Sequence, residues 1–176
     1  MLFRDRRDAG RVLAEHLRHY ADRPDVLAFR TPPLEVPVEV TGPVVVRLWV
    51  ASSAPDTDFT AKLIDVYPPN EDYPDGFAMN LTEGILRVRY RDSWERPSPM
   101  VPGEIYAITI ELSPTSNLFV SGHRLRLDIS SSNFPHFDVN PNSGEPEGAM
   151  EHPRIARNQV LADAAHPSHL VLPVIP

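Results

Sequence analysis

Cysteine is missing from the chain altogether. With it go disulfides, thiolate metal sites and any thiol nucleophile, and nothing in the composition points to an oxidising compartment. No apolar run approaches the roughly 18 residues a helix needs to cross a bilayer. The opening MLFRDRRDAGR lacks the apolar core of a signal peptide. Basic charge is short as well: the formal net charge is −7, which argues against nucleic acid or an anionic membrane surface as partner. These absences together predict a soluble, cytoplasmic protein. Glycine is scarce, with eight residues against twenty prolines, and the prolines are spread along the chain, as if punctuating many short segments. A chain of 176 residues is one ordinary domain. It can bury roughly 70% of the surface its unfolded form exposes, without a metal or a disulfide to hold it.

One helix is predicted, over residues 5–20. Ala9, Val12, Leu13, His16, Leu17 and Tyr20 form a stripe at the 3.6-residue period, while Arg6, Arg7, Arg11, Glu15 and Arg18 lie mostly off it. Asp5 can cap its start and Pro24 follows its end. Residues 1–23 are accordingly set apart as an appended amphipathic helix, and residues 24–176 as the main domain. FRDRRDAGRVLAEHLRHY resembles the first helix of a phosphoribosyltransferase, but the phosphate-binding loop of that family does not follow. A stripe this narrow needs something to cover it.

From Val26 the period changes to two. Strands are predicted over 26–29, 35–40, 44–52, 59–67, 77–81, 85–90, 104–112, 124–130, 155–162 and 169–175, with 91–103 as a proline-bearing loop. Val44, Val46, Leu48 and Val50 share one face, as do Phe59, Ala61 and Leu63, and Tyr106, Ile108, Ile110 and Leu112. About ten short strands with turn signals between them and no interleaved helices indicate an antiparallel β-sandwich rather than a parallel sheet.

The most informative stretch is RLRLDISSSNFPHFDVNPNSG, residues 124–144. Leu125, Leu127 and Ile129 alternate with Arg124, Arg126 and Asp128, so a strand with one wet face runs into an aromatic-bearing loop at Phe134-Pro135. SSSNFP followed by FDVNPNSG resembles the late strand and loop of the C-terminal domain of the X-prolyl dipeptidyl-peptidase and cocaine-esterase family of serine hydrolases. TGPVVVRLWVASSAPDTDFTAKLIDVYP and HPSHLVLPVIP are similar to the same domain, in the same order, from about Pro24 onward. The opening helix does not share that likeness. The resemblance implies an all-β, jelly-roll (galactose-binding-domain-like) antiparallel sandwich, with one N-terminal α-helix added here. It further implies an α/β-hydrolase catalytic domain as partner, in cis or in trans, carrying the catalytic triad. On that resemblance Asn133, Phe134, His136, Phe137 and Asp138 are expected at the domain interface or substrate wall.

The residues themselves bear out little chemistry. A serine nucleophile of that class sits in G-x-S-x-G, and none of the twelve serines has a glycine two places before it. Ser121-Gly122-His123, with Asp128 or Asp138 as the orienting acid, is the nearest arrangement to a triad, and a Ser-Gly pair ahead of a strand more simply makes a turn. The pairs His16/His19 and His166/His169 lack a third metal ligand nearby. Asp56 and Asp58, with the acidic 70–75 loop, offer oxygens to calcium without EF-hand spacing, and Asp56 fits better as a turn cap after Pro55. No catalytic, cofactor or metal residue is therefore assigned.

Two roles follow from the sequence. One is a non-catalytic β-sandwich of a serine hydrolase, contributing stability and one wall of the substrate region. The other is a stand-alone carbohydrate or small-ligand binding module, using Trp49, Trp94, Phe134 and Phe137 as stacking platforms. A face shaped to meet a catalytic domain and left open would favour homo-oligomers, or would be covered by the N-terminal helix.

Overall fold

The computed structural model describes residues 25–146, 148, 149 and 151–176. The helix expected over residues 5–20, and the boundary at residues 23 and 24, lie outside the described residues. Among those described there is no helix long and apolar enough to cross a membrane.

The described residues form eight strands in two antiparallel sheets: β1 (Leu27–Arg30), β2 (Val38–Ser52), β3 (Asp58–Tyr67), β4 (Phe77–Arg87), β5 (Tyr106–Phe119), β6 (Arg124–Ser130), β7 (Asn158–Leu161) and β8 (His169–Val171). One sheet has the order β1-β6-β3-β4. In the other, β5 pairs with one edge of β2 while β7 and β8 share its opposite edge. The jelly-roll reading thus stands.

Fewer strands appear than the turn signals suggested: β2, β4 and β5 are longer than expected, whereas β7 and β8 are shorter than the strands expected over 155–162 and 169–175. The break expected at Gly42-Pro43 is a bulge inside β2, where the register shifts between Gly42 and Val44 and Gly42 takes φ 136°. Proline has no N–H to donate and glycine tolerates the positive φ, so together they make an irregularity the ladder passes through. In β4 a similar shift against β3, between Leu63 and Ile64, fuses the two strands expected over 77–81 and 85–90. Residues Val88–Tyr90 close it as a single 3-10 turn. Strand β5 continues past Leu112 through Pro114, which an edge strand allows.

The core forms where inward faces meet. Val40, Val44, Val46, Leu48 and Val50 of β2 pack against Phe59, Ala61 and Leu63 of β3, Ile108, Ile110 and Leu112 of β5, and Leu125, Leu127 and Ile129 of β6. Apart from Ala61, each such side chain contributes about 1.5–3 kcal/mol when fully buried.

The two long sides of the sandwich differ. On one, β4 lies against β5: Thr82 Oγ1 donates to the Ser113 carbonyl at 2.6 Å, and a Cβ on Gly84 would come within 2.5 Å of the Glu111 carbonyl oxygen. That side is shut. On the other, β1 faces the short strands β7 and β8. Leu27 and Phe29 oppose Ile129 and Leu127 and so point inward, yet each is 45% exposed.

Candidate functional site

Strand β6 ends at Ser130, whose hydroxyl lies 2.6 Å from Thr60 Oγ1 of β3. The following loop folds back over the outer face of the β1-β6-β3-β4 sheet, and Glu83 of β4 is its receiving point. Asn133 Nδ2 donates to Glu83 Oε2 at 3.0 Å, and His136 Nε2 lies 3.4 Å from Glu83 Oε1. Lys62 Nζ reaches the same carboxylate at 3.3 Å and Asn80 Nδ2 at 3.2 Å. Burial alone would raise Glu83, but the Lys62 charge and these hydrogen bonds outweigh it and hold the carboxyl below its usual range.

Backbone bonds from the N–H groups of His136 and Phe137 to the Asn133 carbonyl tighten the turn around the cis Phe134-Pro135 peptide. The His136 and Phe137 rings meet edge-on at 4.5 Å. Phe137 is half-buried, Asp138 is exposed, and Phe134 projects with 71% of its surface open to solvent. The structure therefore gathers Asn133, His136 and Phe137 at one place, and leaves Phe134 outermost.

The far end of the loop is held more deeply. Asn140 is 5% exposed, and its Nδ2 donates to Asp56 Oδ2 at 2.9 Å and to Asp58 Oδ1 at 2.6 Å. Both carboxylates also carry an arginine. Arg89 meets Asp56 at 2.7 Å, and Arg87 forms a two-pronged pair with Asp58 at 3.0 and 3.2 Å. Arg89 Nη1 then donates to the Glu145 carbonyl at 2.8 Å, and the Asn142 N–H to Asn140 Oδ1 at 2.9 Å, closing the turn in which Asn142 takes φ 58°. Burial raises the Asp58 carboxyl above its usual range, and the bonds from Arg87 and Asn140 offset that only in part.

Glu83, Asn140 and the two Asp–Arg pairs were not singled out from the sequence. The signal was present: D-T-D at 56–58 and R-V-R at 87–89 are complementary at the strand period, and Asp58 stands opposite Arg87 in the β3–β4 register. Asp56 is thus fully buried in an ion pair, where a turn cap was expected. The 70–75 loop, named with it as a calcium source, follows the opposite end of β3, and Asn70 Oδ1 there accepts from the N–H groups of Asp72 and Tyr73.

The triad-like grouping comes apart. His123 is buried with Nδ1 2.8 Å from Asp65 Oδ1, so its carboxylate partner is neither Asp128 nor Asp138. Asp128 instead accepts from Arg126 Nε and Nη2, each at 2.6 Å. Ser121 Oγ donates to the backbone carbonyl of Glu35 at 3.0 Å, which turns its proton away from the imidazole. A nucleophilic serine needs that proton directed at the base.

Of the histidine pairs, His16 and His19 lie outside the described residues. His166 Nδ1 lies 3.0 Å from Asp163 Oδ1, and His169 Nδ1 2.6 Å from the Pro167 carbonyl. Among the described residues, Glu145, Glu151 and His152 bring ligand-type atoms within 4.8 Å of one another on an exposed loop. His152 Nδ1 sits 2.6 Å from Glu145 Oε1, and hydrogen bonds from His152 and Ser143 hold that carboxyl low. The rings considered as stacking platforms sit on separate elements. Trp49 of β2 meets His166 edge-on at 5.2 Å, Trp94 stacks on Tyr90 at 6.1 Å, and Phe134 and Phe137 belong to the loop described above.

The chain belongs to the family of the X-Pro dipeptidyl-peptidase C-terminal non-catalytic domain, whose model matches residues 3–171. That match takes in most of the N-terminal stretch the sequence analysis had set apart. Cocaine esterase from Rhodococcus sp. (strain MB1 Bresler) is 48% identical over 156 residues, covering 88% of this chain and 26% of the relative. An aminopeptidase structure from a marine sediment Thaumarchaeota archaeon superposes with a TM-score of 0.85 at 34% identity, over 91% of this chain and 27% of that one. An α-amino acid ester hydrolase gives 0.84 at 33% identity, over 90% of this chain and 27% of that one. The chain thus spans about a quarter of the length of these relatives.

Proposed function

We propose that this chain serves as the C-terminal β-sandwich of a serine hydrolase acting on ester or peptide bonds, with a structural and substrate-wall role and no nucleophile of its own. It docks on an α/β-hydrolase domain through the loop bearing Asn133, Phe134, His136, Phe137 and Asp138. The observation that carries this reading is the clamping of that loop. A segment pinned at Glu83 and again at Asn140, with an apolar ring projecting between the pins, is stiff where it presents Phe134. Preorganised aromatic projections are what a docking surface uses, because ordering them costs little on binding. The named activities of the relatives above, on an ester or as an aminopeptidase, agree with the reaction class.

The test is a domain exchange, in which the matching quarter of the Rhodococcus cocaine esterase is replaced by this chain. The chimera is expected to hydrolyse the esterase's substrate, and Phe134→Glu to lower its activity or melting temperature while leaving the isolated chain's melting temperature unchanged. A chimera indifferent to Phe134→Glu and Phe137→Ala would sink the docking role.

A further inference from the structure

Asn158 of β7 is held by one end of its amide only. Its Nδ2 donates to Thr57 Oγ1 at 2.8 Å and to Ser131 Oγ at 2.7 Å, tying β7 to the residue before β3 and to the residue after β6. The other end has no such tie. Oδ1 is shielded from solvent, and among the described residues it is the one buried side-chain oxygen or nitrogen without a hydrogen-bond partner. A buried acceptor left unmet is costly, so one that persists marks a place where a donor is due.

Asn158 lines a hollow of about 250 Å³ at the junction of β1, β6 and β7. Its floor is apolar, with Phe59 and Ile129 each 2% exposed, and the half-open Leu27 of β1 stands at its rim. Ser130, Ser131 and Asp25 complete the polar part, and Asp25 is the only charged residue in the lining. At about 30 Å³ per water the space holds roughly eight waters, or one small organic group of similar bulk. The lining selects among such groups. A carboxylate or a phosphate would find no lysine, arginine or histidine on the walls. A hydrocarbon would leave Asn158 Oδ1 unmet. A primary ammonium carries three N–H donors and no acceptor, which is the converse of what the walls present. Ser130 is already spent, since its hydroxyl donates to the Ser132 carbonyl at 3.0 Å. Asn158 Oδ1, Ser131 Oγ and the Asp25 carboxylate are the acceptors on offer.

We propose that the hollow beside Asn158 is a binding site for a primary ammonium with a short apolar tail, the ammonium at Asn158, Ser131 and Asp25 and the tail on Phe59 and Ile129. No residue from Asn133 to Asp138 lines it, so the assignment stands whether or not that loop docks on a hydrolase domain.

The test is a titration of the full chain, labelled with nitrogen-15, against butylammonium chloride, followed by NMR. The Asn158 side-chain amide and the backbone signals of Ser131 and Val160 are expected to shift saturably. Sodium butyrate, of the opposite charge, and tetramethylammonium chloride, which has the charge and no N–H, are expected to give no saturable shift. Asn158→Leu should weaken the binding of butylammonium about tenfold or more, as loss of a buried hydrogen bond to a charged group requires. Asp25→Asn should weaken it severalfold. Because Asn158→Leu also removes the ties to Thr57 and Ser131, Leu27→Trp on the edge strand serves as a second variant, filling the hollow from its rim and abolishing binding. No saturable shift with butylammonium would mean that water alone meets Asn158, and would overturn the proposal. Equal shifts from butyrate or tetramethylammonium, or undiminished binding to folded Leu27→Trp, would overturn it as well.

Discussion

At the scale of single residues, Asn140 carries more than any other side chain of the loop. It donates to two buried carboxylates, at 2.9 and 2.6 Å, and its own carbonyl oxygen receives the Asn142 N–H. Asn140→Ala leaves both carboxylates short of a donor, and is expected to cost about 3 kcal/mol in chemical denaturation. The same substitution should open the loop to proteolysis before the sandwich melts. Two carboxylates should respond to acid in opposite senses. Glu83 is held below its ordinary value of 4.5, so its contribution is present above that value and is lost as pH falls through the folded one. Asp58 is raised above its ordinary 3.8, so its contribution is complete below 3.8 and is lost as pH rises through the folded value. Melting curves taken between about pH 3 and 7 should then show the advantage of wild type over Glu83→Gln shrinking on acidification, while its difference from Asp58→Asn moves in favour of wild type. Parallel profiles for all three proteins would refute the assignment. None of this could be read from Asn140 alone in the sequence, because an asparagine before a proline looks like an ordinary turn former. Its burial depends on two aspartates more than eighty positions earlier in the chain.

At the scale of elements, alternation located the strands well, and punctuation placed their ends badly. Leu125, Leu127 and Ile129 are buried as their period required, and so are Ile108, Ile110 and Leu112. Gly42-Pro43 and Pro114, by contrast, looked like stops and proved to be irregularities within β2 and β5. A turn residue ends a strand only where pairing partners also end, and the β2–β5 ladder runs from Val38 opposite Phe119 to Val50 opposite Tyr106. Partners distant in sequence are invisible to a local pattern. Trp49 illustrates the same limit, since its cover is the segment holding His166, more than a hundred residues away. Gly84 has a sharper role than composition suggested. Its missing Cβ is what lets β4 approach the Glu111 carbonyl of β5, and Gly84→Ala is expected to force the two strands apart at a cost of about 1–3 kcal/mol, measured by thermal or urea unfolding. A neutral alanine there would show that the closed side has room to give.

For the whole molecule, what the chain lacks is as telling as its fold. Ser121 donates to a backbone carbonyl and His123 answers to Asp65, so the chain by itself is expected to show no turnover of a p-nitrophenyl ester or an X-Pro anilide. Turnover abolished by Ser121→Ala would reverse that reading. The loop face and its exposed Phe134 should also drive self-association when no hydrolase domain is present, and light scattering of the Phe134→Glu variant should then report a smaller particle than wild type. Among the described residues the sandwich is shut along β4 and β5 and gapes along β1, β7 and β8, much as a book bound on one side. Deuterium should consequently enter its amides as a front. The fore-edge strands would exchange first, and the amides of β2 and β3, each paired along both edges, would be the last to surrender their protons.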